Sequence, residues 1–279
     1  MPKKNKFSIP ESVQRELDEK EKKVNPSPRC RASDVPDKAI SLGVWPDSKS
    51  SVPTGFGRSA LFGVVKRGQR KYLQQEPIAA WKDWSIKYTG QQLAQVDLDM
   101  LLVVANMSKD VKGTVRTSYR ALLRASGRKG TGARDIEWLQ ITLDRMTACA
   151  LTVKHKSKSY HGNIMNWAED EKTGDVIVWM NEHQSWLWQD ATWIDTEQRH
   201  SLKLDLSKWL QSYVCSHQAI KKKPHMLSLS KLQELCGSHN KQLAGFRRKV
   251  KAAMAELEES GAVLGWDLEK DDVLKFWRK

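Results

Sequence analysis

The stretch that decides the fold is residues 117–154, TSYRALLRASGRKGTGARDIEWLQITLDRMTACALTVK. Arg116, Arg120 and Arg124 recur every fourth residue, a spacing that places them along one face of a predicted helix. Glycines then interrupt the helix, and Thr131 is placed to cap the next one. The stretch therefore predicts a short basic helix, a glycine turn, a longer helix and a strand.

The longer helix has two different faces. Its apolar positions follow a three-four-three-four spacing and are Ile136, Leu139, Leu143, Met146 and Ala150. The opposite face carries Arg134, Trp138, Ile141 and Arg145. This pattern after a short helix and a tight turn is typical of a helix-turn-helix unit, and residues 150–158 predict the start of a β-hairpin, or wing. Taken alone, this sequence pattern fits a solvated helical hairpin in another kind of α+β domain equally well.

Composition favours the DNA-binding interpretation. The chain has 279 residues, with 47 Lys and Arg against 33 Asp and Glu, a net charge of +14. This excess suits a polyanionic partner, most commonly nucleic acid. No run approaches the roughly 18 apolar residues that a membrane span requires, and the N-terminus shows no secretory signal. We therefore expect a cytoplasmic protein without a membrane partner, and in a cytosolic chain the four scattered cysteines indicate reduced thiols.

A second copy of the pattern lies 110 residues later. Residues 228–237 repeat the Ser, Leu and Gly positions of residues 118–127, and Ser238 is placed to cap the helix that follows. The apolar positions of that helix are Leu243, Phe246, Val250, Ala253 and Leu257. Its outer face carries Lys241, Ala244, Gly245, Arg248, Lys251 and Ala252. Small residues beside long cations suit a helix that enters a DNA groove.

The repeat predicts an α+β fold with two winged-helix domains in tandem. The predicted divisions are a disordered basic arm (1–40), an N-terminal extension (41–87), the first winged-helix domain (88–182), a linker (183–199) and the second domain (200–279). The arm has too little apolar surface to offset the entropy of ordering.

Several motifs that suggest other chemistry can be rejected. Residues 55–60 fit G-x-G-x-x-A, but residues 48–54 before them are not expected to form a buried strand, so a dinucleotide site is not expected. Asp97 and Asp99 are two residues apart on a helix and point to different sides. Cys215, His217 and His225 lack a fourth zinc ligand. We therefore predict no metal, no cofactor, no NTPase loop and no enzymatic activity.

Three phrases together resemble the TrfA family of plasmid replication initiators. They are residues 42–47 (LGVWPD), 58–62 (RSALF) and 88–99 (YTGQQLAQVDLD). The resemblance covers roughly residues 42–180. It implies a bacterial plasmid protein that binds iteron repeats at an origin, promotes opening of an AT-rich region, and recruits host DnaA and the replicative helicase. It also implies reading by monomers, with dimers as the inactive form. No sliding-clamp motif of the Q-L-x-L-F kind is found.

Without an NTPase loop, opening of the AT-rich region must derive from bending of the duplex or from binding of the opened single strand.

The predicted DNA-binding residues are Arg116, Arg120, Arg124, Arg128, Lys129, Arg134, Trp138, Arg145, Lys154, Lys156, Lys158, Lys241, Arg248 and Lys251. Within this set, base contacts are expected from Arg248 and Lys241 in the second domain and from Arg134 and Arg145 in the first. The alternatives are a winged-helix transcriptional repressor or copy-number regulator of a plasmid, and a nuclease, relaxase or RNA-processing enzyme.

Overall fold

The computed structural model describes residues 42, 45–66, 68–108, 114–217, 223–240 and 242–278. The predicted disordered arm, residues 1–40, lies outside the described residues. The first described elements are β1 (Lys49–Pro53), α1 (Thr54–Gly57), β2 (Phe62–Gly63), β3 (Tyr72–Ile78), β4 (Trp84–Gln91) and β5 (Leu93–Ala94).

The middle of the chain forms a first unit and a connecting segment. The elements of the first unit are α2 (Gln95–Ser108), β6 (Thr114–Thr117), α3 (Tyr119–Ala125), α4 (Ala133–Thr147), β7 (Ala150–His155), β8 (Lys158–Gly162), β9 (Asn166–Asp170) and β10 (Asp175–Trp179). A 3-10 turn at Glu182–Gln184 leads to the connecting elements α5 (Ser185–Gln189), β11 (Ala191–Asp195) and α6 (Thr196–Ser201). The connecting segment is held by β11, which pairs antiparallel with β1.

A second unit repeats the order of the first, except that its described part has no counterpart of β7 and β8. Its elements are α7 (Asp205–Cys215), β12 (His225–Ser228), α8 (Leu229–Leu235), α9 (Leu243–Glu259), β13 (Val263–Leu268) and β14 (Val273–Arg278). Among the described residues, the two units have three-stranded sheets of matching order, β6-β10-β9 and β12-β14-β13. In each, the strand before the helix-turn-helix pairs with the last strand of the wing. The α+β, tandem winged-helix prediction is confirmed.

The same local interactions begin and end the short helix in both units. The Oγ of Ser118 accepts a hydrogen bond from the N–H of Ala121 at 3.2 Å, and the Oγ of Ser228 accepts one from Lys231 at 3.3 Å. Gly127 and Gly237 follow the two helices with φ of 76° and 63°. Only glycine adopts this left-handed conformation without strain, which explains why it ends both helices.

Three local predictions were wrong. The N-cap of α4 is Gly132, not Thr131, and the N-cap of α9 is Gln242, not Ser238; neither makes a side-chain cap hydrogen bond. Arg116 lies on strand β6, because the cap at Ser118 begins the helix only at Tyr119. The arginine stripe of α3 is therefore limited to Arg120 and Arg124.

The hairpin predicted at residues 150–158 exists, but it is not the wing. Strands β7 and β8 join β3 and β4 in a four-stranded antiparallel sheet among the described residues. Val153 pairs with Ile86 of β4 and both side chains are buried, so the hairpin belongs to this sheet. The wing of the first unit is formed by β9 and β10, which flank the turn at residues 171–174.

Two large apolar cores correspond to the two units. One holds the buried side chains of the N-terminal strands, of α2 to α4 and of the first wing. The other holds those of α7 to α9 and the second wing, with Val64 and Trp81 packed against it. The core face of α9 is formed by Phe246, Val250, Ala253, Met254 and Leu257. Its opposite face is left to solvent.

Candidate nucleic-acid interface

The outer face of α9 is an exposed cationic surface with little steric bulk. Ala244, Arg248, Lys251 and Ala252 are all exposed. Within the described part of the chain, neither Arg248 nor Lys251 forms an ion pair. Lys241, which was predicted to act with Arg248, lies outside the described residues. The N-terminal half of this helix can thus present a free guanidinium group and a free ammonium group to an anionic partner.

Arg247, next to Arg248, binds the second wing and is not free. Its guanidinium binds the carboxylate of Asp272 and donates to the carbonyl oxygens of Leu268 at 3.0 Å and Glu269 at 2.6 Å. These bonds fix the turn between β13 and β14 against the N-terminal part of α9. The wing and the exposed face of the helix are therefore held in one arrangement.

In the first unit, the exposed cations lie mainly on α3 and the turn after it. Arg120 and Arg124 are exposed, while Leu122 and Leu123 of the same helix are fully buried. Lys129 in the turn is also exposed. These side chains can reach phosphate oxygens without disturbing the core.

Arg128 and Trp138 contact each other. The Arg128 guanidinium lies 3.9 Å from the centre of the Trp138 ring and donates to Asp135 Oδ1 at 2.9 Å. A cation stacked on an aromatic face and paired with a carboxylate is already stabilised. This pair closes the turn onto the start of α4.

The outer face of α4 is less basic than the sequence pattern predicted. Arg134 is exposed, but so are Glu137 and Ile141, the latter by 50%. Ile141 appeared in the pattern of the outer face but was not among the predicted binding residues. An exposed isoleucine at this position can make an apolar contact, such as one with a thymine methyl group.

Arg145 does not lie on the surface. Its side chain is only 9% exposed; it binds Asp97 Oδ1 and donates to Gln91 Oε1 at 2.8 Å. Asp97, whose side chain is fully buried, also accepts from Arg70 at 2.6 Å. Arg145 therefore neutralises a buried carboxylate on α2, and it is not available as the base-contacting residue that the sequence pattern predicted.

Asp97 and Asp99 form separate ion pairs on different sides of α2, as predicted. Asp99 binds Arg199 at 2.7 Å and Lys208 at 2.6 Å. Burial by itself raises the pKa of Asp99, but Arg199 and Lys208 outweigh it and hold the pKa below its usual value. Both carboxylates are structural.

Arg116 is exposed but paired with the first wing. Its guanidinium lies 3.0 Å from Asp170 and 3.4 Å from Asp175. The hydrogen bond from Arg116 holds the pKa of Asp170 below its usual value. Two carboxylates thus offset the charge that Arg116 would offer to a phosphate.

The lysines of the β7–β8 hairpin form a separate exposed group. Lys154, Lys156 and Lys158 are all exposed. Lys87 of β4 pairs with Thr152, and Ser85 pairs with Lys154, so Lys87 and Lys154 lie on the same exposed face of the sheet. Lys87 was missed because its neighbourhood depends on pairing between strands distant in sequence.

The described residues contain no group of three or more His, Cys, Asp or Glu side chains placed to hold a metal ion. His217 and His225 do come together, with ring centres 4.2 Å apart, but they pack among aromatic rings. The hydroxyl of Tyr213 lies 3.0 Å from His225 Nε2. No helix in the described ranges combines the length and apolarity needed to cross a membrane.

Comparisons with known proteins identify the fold. No protein-family model and no curated protein matches the chain. A crystal structure of domain 2 and domain 3 of RctB matches with a TM-score of 0.54 at 13% identity, covering 81% of this chain and 98% of that one. The chain therefore has the fold of that two-domain structure.

Two further structures match more distantly. A structure of RctB domains 2-3 has a TM-score of 0.49 at 14% identity, with 78% of this chain and 95% of that one covered. The Pi initiator protein in complex with iteron DNA has a TM-score of 0.46 at 14% identity, with 66% and 94% covered.

Proposed function

We propose that the chain is a plasmid replication initiator of the TrfA type, which binds directly repeated iteron sites in duplex DNA. The observation that carries this proposal is the exposed cationic face of α9 in a duplicated winged-helix fold. A helix in this position of a winged-helix unit enters the major groove, where arginine can bind guanine in a bidentate manner. Ala244 and Ala252 beside Arg248 allow the helix to approach the base edges closely.

The first unit supplies mainly phosphate contacts in this proposal. Arg120, Arg124 and Lys129 are exposed on α3 and its turn, and their charges suit the DNA backbone. Arg134 and Ile141 on α4 are the remaining candidates for contact with bases. Phosphate contacts of this kind position a protein on its site and make binding strongly salt-dependent.

In this proposal, initiation is driven by the free energy of DNA binding, and the protein makes or breaks no covalent bond. The net charge of +14 favours association with DNA, and the sequence has no phosphate-cradling NTPase loop. Opening of an AT-rich region then derives from bending of the duplex or from preferential binding of the opened single strand. Recruitment of host DnaA and the replicative helicase, and an inactive dimer in equilibrium with the monomer, rest on the resemblance to the TrfA family.

Footprinting and replication assays test the proposal together. Purified protein should protect several direct repeats in the plasmid's own origin, spaced by whole helical turns, and should support replication of a plasmid that carries only that origin. Protection of a single palindrome at a promoter, without support for replication, would favour a repressor or copy-number regulator. Metal-dependent cleavage of labelled DNA would favour a nuclease and would contradict the proposal.

A further inference from the structure

Arg199 of the connecting helix α6 joins the two winged-helix units through one buried side chain. It is 2% exposed. Its guanidinium donates to Asp99 Oδ1 at 2.7 Å and to Gln95 Oε1 at 2.8 Å, both on α2 of the first unit. It also donates to the carbonyl of Lys208 at 2.5 Å and to the Oγ of Ser212 at 3.3 Å, both on α7 of the second unit. These four hydrogen bonds engage all three nitrogen atoms of the guanidinium, a planar group whose five N–H donors have fixed directions.

Lys208 adds a direct bond between the units. Its ammonium group donates to the second oxygen of Asp99 at 2.6 Å. The side chains of Arg199, Lys208 and Asp99 are 2%, 18% and 14% exposed. A carboxylate that bridges two cations at low exposure is screened little by salt and is costly to leave unpaired. The contact is therefore less screened and costlier to break than an ordinary surface ion pair.

The segment of residues 49–64, which we call the clasp, crosses both units next to this contact. Its contacts with α2 and with the connecting segment are Ser50 Oγ to Leu102 O at 2.6 Å and Thr54 Oγ1 to Thr192 Oγ1 at 3.1 Å. Its contacts with the second unit are Trp209 Nε1 to Ser59 O at 3.0 Å, Arg58 Nε to Ser216 Oγ at 3.0 Å and Val64 N to Cys236 O at 2.8 Å. The clasp thus binds the first helix of each unit.

Gly55 and Gly57, the first two glycines of the G-x-G-x-x-A match, allow the clasp to pack closely against its neighbours. A Cβ on Gly55 would lie 2.3 Å from the ring of Trp84, and one on Gly57 would lie 3.3 Å from the carbonyl oxygen of Ser212. Trp84 belongs to the sheet that contains β7 and β8, and Ser212 belongs to α7. The clasp can approach both units closely because these two positions lack side chains.

We infer that Arg199 is a positioning residue that, with the clasp, holds the two winged-helix units as one rigid body. The protein therefore recognises the spacing between the two sites on DNA that the units contact. This inference rests on the proposed function. With the units fixed, both can bind only when the two halves of the site lie at one separation and one rotational setting. With the units free, either half could be engaged at several separations.

Spacing variants of the footprinted repeat test the inference. The natural duplex is compared with one that carries about half a helical turn, roughly five base pairs, inserted between the halves contacted by the two units. For the wild-type protein we expect the insertion to weaken binding at least roughly tenfold. For Arg199→Gln we expect weaker binding to the natural duplex and a spacing preference reduced to about twofold or less.

The matched control is Arg145→Gln, which removes a buried arginine with a similar carboxylate partner within the first unit alone. It should keep the wild-type spacing preference, so a general loss of stability cannot imitate the expected result. If Arg199→Gln does not fold, Lys208→Gln tests the same contact at a more exposed position. A wild-type protein that binds both duplexes equally, or an Arg199→Gln protein with the wild-type preference, would overturn the inference while leaving the proposed function in place.

A DNA-independent measurement separates the two proposals further. Spin labels at Arg120→Cys and Lys251→Cys, with accessible native cysteines replaced by serine, report the distance between the units. We expect one narrow distribution that broadens in Arg199→Gln and not in Arg145→Gln. Equal widths in all three proteins would overturn the inference. Absence of any specific footprint would instead contradict the proposed function, whatever the spin labels show.

Discussion

Arg247 and Arg248 are neighbours on α9, yet their guanidinium groups lie on different sides of the helix and have different environments. Arg247 is partly buried and binds Asp272 and two carbonyl oxygens of the wing turn. Arg248 is exposed and forms no ion pair with the described residues. One arginine holds the wing onto the helix, and the next is free to meet a ligand.

This difference predicts opposite effects for two alanine substitutions. Arg248→Ala should leave the free energy of unfolding unchanged and reduce discrimination of the specific site by about 1–3 kcal/mol, because a bidentate contact with a base is lost. Arg247→Ala should lower the free energy of unfolding, because three partly buried acceptors lose their donor. Denaturant unfolding and competitive binding assays measure the two effects; an unchanged footprint for Arg248→Ala would remove α9 from the interface.

Salt dependence should identify the phosphate contacts of α3. Arg120→Ala and Arg124→Ala should each reduce the slope of log affinity against log salt concentration by about 0.9, because each removes one phosphate contact. Arg116→Ala is the matched control, since Asp170 and Asp175 already offset its charge. A slope that changes most for Arg116→Ala would show that the wing, and not α3, contacts the backbone.

Arg145→Ala should destabilise the fold. Asp97 would remain fully buried with Arg70 as its remaining cation, and breaking a buried ion pair from one side costs about 3–5 kcal/mol. Arg134→Ala, at an exposed position of the same helix, should change stability by less than about 0.5 kcal/mol. Thermal unfolding of both variants checks the comparison, and equal stabilities would contradict the assignment of Arg145 to the interior.

Stability should fall as the pH drops from about 6.5 towards 4. Burial lowers the pKa of His217 to about 3 and, with the nearby charges of Arg58 and Lys82, lowers the pKa of His225 to about 4. The unfolded chain protonates both near pH 6.5 while the folded chain does not, so protons favour unfolding in this window. Each histidine contributes at most about 1.4 kcal/mol per pH unit to the slope.

The variant His217→Phe isolates this effect, because phenylalanine keeps the ring contacts with Tyr213 and cannot titrate. Its free energy of unfolding should depend less steeply on pH between 6.5 and 5 than that of the wild type. The comparison concerns the slope and not the absolute stability, so the hydrogen bond lost to the Tyr213 carbonyl does not affect it. Parallel slopes would mean that His217 is not kept neutral by burial.

The sequence pattern predicted the repeated helix-turn-helix from local interactions, although the local caps expected at Thr131 and Ser238 were wrong. The serine caps at Ser118 and Ser228 and the left-handed glycines at Gly127 and Gly237 act within a few residues of themselves, so the repeated helix-turn-helix could be recognised. The pattern placed Arg145 on an outer face because periodicity does not reveal a partner as distant in sequence as Asp97. The same limit applies to the hairpin at 150–162, whose pairing with β4 depends on strands far apart along the chain.

The N-terminal extension shows the same limit for domain organisation. Strand β4 runs through the boundary predicted at residue 88, and the clasp makes contacts with both units that no local pattern contains. The division into two winged-helix units follows from the repeat, whereas the fixed relation between them depends on Arg199 and on close packing at Gly55 and Gly57. These are tertiary contacts.

Site-directed photo-crosslinking tests most directly whether both units contact one duplex. A photoreactive amino acid at Ile141 on α4, or at Ala244 on α9, should crosslink to the same footprinted repeat, at positions roughly one helical turn apart. The same group at Glu259, at the acidic end of α9, serves as the control and should crosslink weakly. Efficient crosslinks from both helices at this separation are the predicted result. Crosslinks from neither helix, or from Glu259 in preference to Ala244, would contradict it.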